Sequence, residues 1–380
     1  MRIVNNFLIR YRRFRKCLSM IRHQNDYVDN VSYYPDCEHK TKKEILKDQL
    51  HFMWKYGEIE RFYFLYGFDR KEMHRDKMEG EYIMPYKSFI KKVNHLNYYL
   101  PFYSKDMCQY TGRAIIGDKF YFYLFLSRLG VPTPKVYCYI KDGRPLFFDD
   151  SLDINKSLSD DEKLDELLKC EMDAFAKPSD GECGHGAFFL KITSSGIYMN
   201  DKRITSDELK KILLSANYIV QDRVKQHSKI GALCSSTLNT IRIQTVKAKD
   251  GSIIPFGPGL RIGRNGGIVD NWAQGGIFVG IKENGTLMKQ GYYKPQYGSI
   301  TTEHPDSKII FEGYEIPYFD EVVSCVTKLH NYLYRCHSIG WDVAITENGP
   351  VLIEGNSLWE ISLVQAVHGG LKYLEPNFNY

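Results

Sequence analysis

Asp342, Glu354 and Asn356 have types and spacing that suit a magnesium ion, and all three lie within the stretch GWDVAITENGPVLIEGN at 340–356. Magnesium takes oxygen ligands in an octahedron, commonly one or two carboxylates with the remainder from water and substrate phosphates. The flanking pattern predicts how the three would meet. Trp341-Asp-Val-Ala-Ile-Thr alternates apolar and polar residues, Glu347-Asn348-Gly349 supplies turn chemistry, and Val351-Leu352-Ile353 is β-rich, so the stretch reads as a hairpin. Glu354 and Asn356, two positions apart, then share a face. The same pattern also suits the polar end of an ordinary hairpin, so its meaning depends on what accompanies it.

A second group of residues could hold phosphate. Residues 173–191 (DAFAKPSDGECGHGAFFLK) read as strand, glycine-rich loop, strand. Gly181, Gly184 and Gly186 would let backbone N–H groups close around phosphate oxygens, while Ser179 offers a hydroxyl and Lys177 a charge. No Gly-Lys-Ser/Thr follows, so this is not a Walker A loop, and no helix follows the glycines, so it is not a dinucleotide fingerprint. Lys119 opens a predicted helix over 119–129 that Asp118 can cap and the sequence GVPTP at 130–134 stops. A cation in that first turn opposes the helix dipole and is better used facing an anion.

The elements that must position these groups follow from the same pattern. A helix over 206–214 precedes a strand over 217–222, which carries Gln221 and Asp222 and leads out towards Val224. Strands over 237–246 and 253–263 carry Arg242 and Arg261 among apolar neighbours, and a buried guanidinium needs an anionic partner, whether a structural carboxylate or a substrate. Residues 265–280 are glycine-rich and suggest a substrate loop, and helices are expected over 319–336 and 360–367.

The 380 residues, 43% of them hydrophobic, suffice for two or three subdomains. No apolar run approaches a membrane span, and the N-terminus lacks a signal-peptide pattern, so the cytoplasm is the expected location. The nine cysteines are scattered without a C-x-x-C pair and read as reduced thiols, mostly core filler. Of the net charge of +5, residues 1–22 contribute seven cations and no acid, which leaves the rest of the chain slightly acidic. Ile3, Phe7, Leu8, Tyr11, Phe14, Leu18 and Ile21 recur at helical spacing in this arm. It reads either as a basic amphipathic helix on the anionic inner face of a membrane or as a packed terminal helix. Nucleic acid is not an expected partner, because no recognition motif accompanies the charge. Residues 42–103 are predicted helical and strongly aromatic, an accessory region whose aromatic stripes suit a core.

In chain order, the lysine heading a helix, the lysine before a glycine-rich hairpin, the arginine-bearing strands and the Asp…Glu-x-Asn hairpin resemble the ATP-grasp superfamily. Asn239-Thr240-Ile241-Arg242, Gly275-Gly276 and the 340–356 stretch look like its sugar-transfer-associated branch, whose members sit among polysaccharide-biosynthesis genes. The resemblance covers about two thirds of the chain and leaves the aromatic N-terminal region unexplained. It implies an α+β ATP-grasp fold, two α+β subdomains whose antiparallel sheets sandwich ATP, after an N-terminal helical region. The division expected is an arm at 1–25, the helical region at 26–108, the N-terminal and lid subdomains at 109–225 and the catalytic subdomain at 226–380.

By the same resemblance, Lys119 and Lys177 would contact the ATP phosphates, and the loop with Ser179, Gly181, Gly184, His185 and Gly186 would fold over them. Gln221, Asp222 and Val224 would face adenine. Asp342, Glu354 and Asn356 would hold one or two Mg²⁺, and Arg242 and Arg261 would bind the transferred phosphate or an acyl phosphate. The implied activity is an ADP-forming carboxylate–amine ligase that amidates a uronic acid or related carboxylate, with an amine such as an amino acid, during capsule or exopolysaccharide biosynthesis. A sugar or glycan kinase using the same site and a non-catalytic, membrane-peripheral scaffold are the rival readings. Two departures stand out: Cys183 and His185 lie inside the phosphate loop, and the adenine side lacks the Glu-Glu pair many relatives use. No general base is evident, with His185, Asp222 or the substrate itself as choices.

Overall fold

The computed structural model describes residues 32–94, 111–147, 159–179, 186–264, 267, 270–333 and 336–378, with positions 11, 14, 15 and 19. Most of the basic arm, and Gly181, Cys183, Gly184 and His185 of the phosphate loop, lie outside the described residues. In chain order the helices are α1 (Lys42–Tyr56), α2 (Arg75–Glu81), α3 (Tyr86–Asn94), α4 (Thr111–Gly117), α5 (Lys119–Arg128), α6 (Asp160–Lys169), α7 (Ser206–Leu214), α8 (Ser228–Leu233), α9 (Phe319–His330) and α10 (Ile361–His368).

The first antiparallel sheet contains β1 (Val136–Lys141), β2 (Arg144–Phe147), β3 (Met172–Pro178), β4 (Phe188–Thr193), β5 (Gly196–Met199), β6 (Lys202–Ile204) and β7 (Tyr218–Asp222), in the order β2-β1-β7-β3-β4-β5-β6. Alternation sends Met172, Ala174 and Ala176 of β3 and Val220 of β7 to one face, where Leu164 and Leu167 of α6 and Leu209 and Leu213 of α7 cover them. Both of these helices begin with reciprocal capping boxes, Ser159 with Glu162 and Thr205 with Glu208. The opposite face carries Phe175, Lys177, Ile219 and Gln221, which the register places side by side.

The second antiparallel sheet contains β8 (Thr240–Lys247), β9 (Ile253–Ile262), β10 (Ile277–Ile281), β11 (Leu287–Tyr292), β12 (Ile300–Thr301), β13 (Ser338–Thr346) and β14 (Gly349–Asn356), ordered β12-β11-β10-β9-β8-β13-β14. One face is apolar: Ile241, Ile243, Leu260, Ile262, Trp341 and Val343 pack against Val322, Val326 and Leu329 of α9. The other face is polar in the middle, with Thr240, Arg242, Arg261, Asp342, Glu354 and Asn356. The flanks of that face are closed by α10 and by the N-terminal region.

Helix α5 joins the two sheets. Its Phe120 stacks on Tyr139 of the first sheet at 4.5 Å, while Phe122 and Leu126, on its other side, enter the core of the second. The segment between α5 and β1 is tied across as well, since Leu352 N–H donates to Pro132 O at 2.8 Å.

The accessory region is a core element, as its aromatic stripes suggest. Tyr33, Phe52, Tyr63, Tyr66 and Phe68 pack on Trp272, Phe278 and Tyr292 at the edge of the polar face. It is less helical than its sequence implies. Gly57, in the left-handed region at φ 78°, ends α1, and Phe62, Phe64, Leu65 and Tyr66 lie in consecutive turns. The glycine-rich segment 265–280 also departs from expectation. Ile277–Ile281 is the interior strand β10, buried throughout, because an Ile-Phe-Val run has more to gain between two strands than in a loop. Of the cysteines described, Cys138, Cys234 and Cys336 are buried, Cys37 and Cys170 are exposed, and all six described are free thiols.

Candidate active site

The predicted hairpin is β13 and β14, and its register sets the chemistry. Asp342 stands directly opposite Glu354 on one side and Arg242 of β8 on the other, while Asn356 faces Gly340. Alternation puts all four polar side chains on the face turned away from Trp341 and Val343. Arg261 reaches the same point from β9, where it pairs with Thr240.

Asp342 is almost fully buried and is gripped by both guanidiniums. Arg242 Nε and Nη2 donate to its two oxygens at 2.6 and 2.9 Å, and Arg261 Nη1 lies 3.1 Å from each. Burial alone would raise this carboxyl, but Arg242 and Arg261 outweigh it and hold Asp342 below the usual carboxylate range. The second hand of Arg261 holds Asp270, with Nη2 2.6 Å from Oδ1. The other Asp270 oxygen accepts from Thr240 N–H at 2.9 Å and from its hydroxyl at 2.5 Å. Burial pushes the Asp270 carboxyl up in spite of Arg261 and Thr240. The Nε of Arg261 is buried without a hydrogen-bond partner among the described residues.

Two lysines approach from the first sheet's side. Asp118 caps α5 by accepting from Phe120 and Tyr121 N–H, which fixes Lys119 at the helix head. Its Nζ lies 3.5 Å from Glu354 and donates to Ser179 O at 3.2 Å, bridging the two sheets. Lys177 on β3 faces the same space. Burial pushes it down to about 8, the Glu354 carboxylate pulls it back up, and the neighbouring Lys119 lowers it further. Four cations, Lys119, Lys177, Arg242 and Arg261, are therefore gathered with three carboxylates, Asp342, Glu354 and Asp270.

The remaining predicted residues divide by face. Ser179 is buried, with its N–H on Asn217 O at 2.8 Å. Gly186 sits at φ 74°, a conformation that favours glycine, and its carbonyl accepts from Tyr218 at 3.0 Å, which anchors the exit of the phosphate loop. Gln221 shares the face of Lys177. Asp222 pairs with Ala174 on the helix-covered face, where its carboxylate accepts from the Tyr137 hydroxyl, so its side chain is not brought to the site. Val224 lies beyond the strand and is half-buried. Asn239 braces the chain instead of facing a ligand: its amide meets Gln226, Cys234 O and Gly263 N–H.

Asp270 and Thr240 are the site residues that sequence reasoning missed. The available signal was an unpaired acid inside a glycine-rich apolar segment, close in sequence to an arginine in need of an anion.

The profile of the family described as sugar-transfer associated ATP-grasp matches residues 100–375. The chain belongs to that family. This ATP-grasp chain has the family's fold, two antiparallel sheets with helices, preceded by the N-terminal helical region. It is similar to a D-alanyl-alanine synthetase A from Vibrio cholerae at 12% identity and a TM-score of 0.39, covering 70% of this chain and 65% of that one. An ADP complex of an N5-carboxyaminoimidazole ribonucleotide synthetase matches at 13% identity and a TM-score of 0.37, covering 66% and 46%. An L-amino acid ligase from Bacillus licheniformis matches at 11% identity and a TM-score of 0.36, covering 66% and 43%. The ATP-grasp chain thus spans less than two thirds of these proteins' lengths, and likenesses this low speak to neither activity nor substrate. No curated protein sequence matches it.

The donor set fits magnesium in kind. Asp342 and Glu354 offer carboxylates and Asn356 an amide oxygen on one face. Asp342 would have to be shared with Arg242 and Arg261, or released by them, for the ion to bind.

Proposed function

We propose that this chain is an ATP-dependent, ADP-forming carboxylate–amine ligase acting on a uronic acid or related carboxylate during capsule or exopolysaccharide biosynthesis. The observation that carries the reading is the convergence of Lys119, Lys177, Arg242 and Arg261 around Asp342 and Glu354 between the two sheets. The four cations outnumber the three carboxylates Asp342, Glu354 and Asp270, and a nucleotide's polyphosphate supplies the missing negative charge.

Lys119 and Lys177 would bind the nucleotide's phosphates, with Ser179, Gly181, Gly184, His185 and Gly186 forming the loop over them. Gln221 is the adenine-side residue whose side chain faces the site, with the backbone at Asp222 and Val224 completing the edge. Asp342, Glu354 and Asn356 would hold one or two magnesium ions, which when bound neutralise charge on the phosphates. Arg242 and Arg261 would orient the acceptor carboxylate and then the acyl phosphate made from it, with Asp270 and Thr240 fixing Arg261. Attack by an amine on the acyl carbon would give the amide and release phosphate. Catalysis in this scheme is positioning and charge stabilisation, with no covalent enzyme intermediate. The subdomain division at 109–225 and 226–380, the cytoplasmic location and contact of residues 1–22 with an anionic membrane belong to the same proposal. No helix among the described residues is long and apolar enough to cross a membrane.

The test is product analysis by mass spectrometry with Mg-ATP, a panel of uronic acids and nucleotide sugars, and hydroxylamine as the trapping amine. A hydroxamate formed with ADP supports the ligase. A phosphorylated sugar with ADP and no hydroxamate replaces it with a kinase at the same site.

A further inference from the structure

Helix α1 presents a face that the other described residues leave uncovered. Its inward side is spent on the core through Phe52 and Met53 and on the buried Asp48, which takes Lys40, Arg75 and the Tyr63 hydroxyl. On the outward side, Leu46, Leu50 and Trp54 recur every four residues and form one stripe. Trp54 is 87% exposed and Leu46 40%, and Trp54 has no hydrogen bond or ring contact among the described residues. Lys43 and Lys47 lie on the same face, exposed and without an acidic partner among the described residues. Of the helix's acids, Glu44 closes the capping box on Thr41 and Asp48 is buried, and both line the groove beside this face. That open groove, of about 550 Å³, also takes Lys47, Lys71 and Arg75, with Lys71 paired to Glu38 and Arg75 to Asp48. Its remaining acid, Glu72, is held by Arg70.

We infer that this face of α1 is a docking surface for an anionic lipid bilayer, with Trp54 and Leu46 entering the interface and Lys43 and Lys47 meeting the headgroups. An exposed tryptophan on a helix face that carries lysines in its earlier turns is an arrangement that interfacial binding rewards, because indole sits well at headgroup depth and each lysine near an anionic surface adds its own attraction. A protein partner fits less well: one tryptophan and two leucines offer roughly 150–250 Å² from the ring plus a smaller aliphatic share, far below the ~800 Å² per side of a stable interface. This surface lies within the described fold and does not depend on the ligase reading.

The molecule carries its own reporter. Trp272, Trp341 and Trp359 are all buried, so a change in emission on adding vesicles reports Trp54. The experiment uses the full chain with vesicles of phosphatidylcholine, with and without phosphatidylglycerol, and with brominated acyl chains as quencher. The expected result is a blue shift and bromine quenching with anionic vesicles only. Trp54→Ser should abolish both and lower co-sedimentation about tenfold, and the pair Lys43→Glu and Lys47→Glu should remove the preference for anionic lipid. Vesicle binding through the arm with unchanged, unquenched Trp54 emission would overturn the inference. A blue shift that grows with protein concentration without lipid would overturn it too, since a second copy would then be the occupant.

Discussion

Replacing Asp342 by Asn separates its structural role from its role towards a metal. The carboxylate accepts four contacts from two guanidiniums at 2.6 to 3.1 Å, and its side chain is 5% exposed against 17% for each arginine. An amide keeps one acceptor oxygen and turns an NH₂ towards guanidinium donors, leaving two cations near the middle of the sheet without their shared charge. Losing one partner of a buried ion pair costs about 3–5 kcal/mol, and because water reaches the arginines the lower end, near 3, is expected. Urea unfolding followed by tryptophan emission reads this, since Trp272, Trp341 and Trp359 are buried in the folded chain and become exposed on unfolding. Arg242 and Arg261 hold Asp342 below the usual carboxylate range, so its contribution is complete above about pH 4 and is lost only as pH falls through the depressed folded value. The difference between wild type and variant should therefore be flat between about pH 5 and pH 8 and shrink in stronger acid. The second measurement is ADP affinity with and without magnesium, and the variant should lose the magnesium-dependent part. Unchanged unfolding would refute the energetic argument. A magnesium effect retained in full by a destabilised variant would show that Asp342 is a structural anion only.

Lys177 is lowered to about 8 in the nucleotide-free chain, so ADP affinity should weaken as pH rises from about 7 to about 9, by up to tenfold per unit above the transition. Calorimetric titration measures this, and Lys177→Met should bind poorly at every pH. Asp270→Asn should release Arg261 and lower kcat about 10- to 100-fold with little change in the KM for ATP, a split that steady-state kinetics resolves; equal loss in both would remove its positioning role. Burial raises Glu60 to about 7 despite hydrogen bonds from Phe62 and Tyr86 N–H. Its folded state binds the proton more tightly than the unfolded one, so the stability it contributes is complete below about pH 4.5 and is lost as pH rises through about 7. Relative to Glu60→Gln, wild type should lose about 3 kcal/mol between those limits in urea titrations.

Periodicity and turn chemistry made several elements legible in the sequence. The 340–356 hairpin, the cap of α5 at Asp118, the helix over 206–214 and the shared face of Glu354 and Asn356 are all local consequences, fixed by residues within a few positions of one another. The need of Arg242 and Arg261 for an anion was legible too, because a guanidinium in an apolar strand implies one. Which anion was not. Arg261 divides its two hands between Asp342, far along the chain, and Asp270, nearby but inside a segment whose glycines suggest a substrate loop. The same limit governs Asp222. Being next to Gln221 makes both look available, and only the register with Ala174 turns one side chain to the site and the other to the helices. Lys119 meets Glu354 across 235 positions because α5 packs on both sheets at once. A sequence period states which residues share a face of one element. It carries no information about which face meets which, and that is decided when the apolar faces of separate elements are buried together.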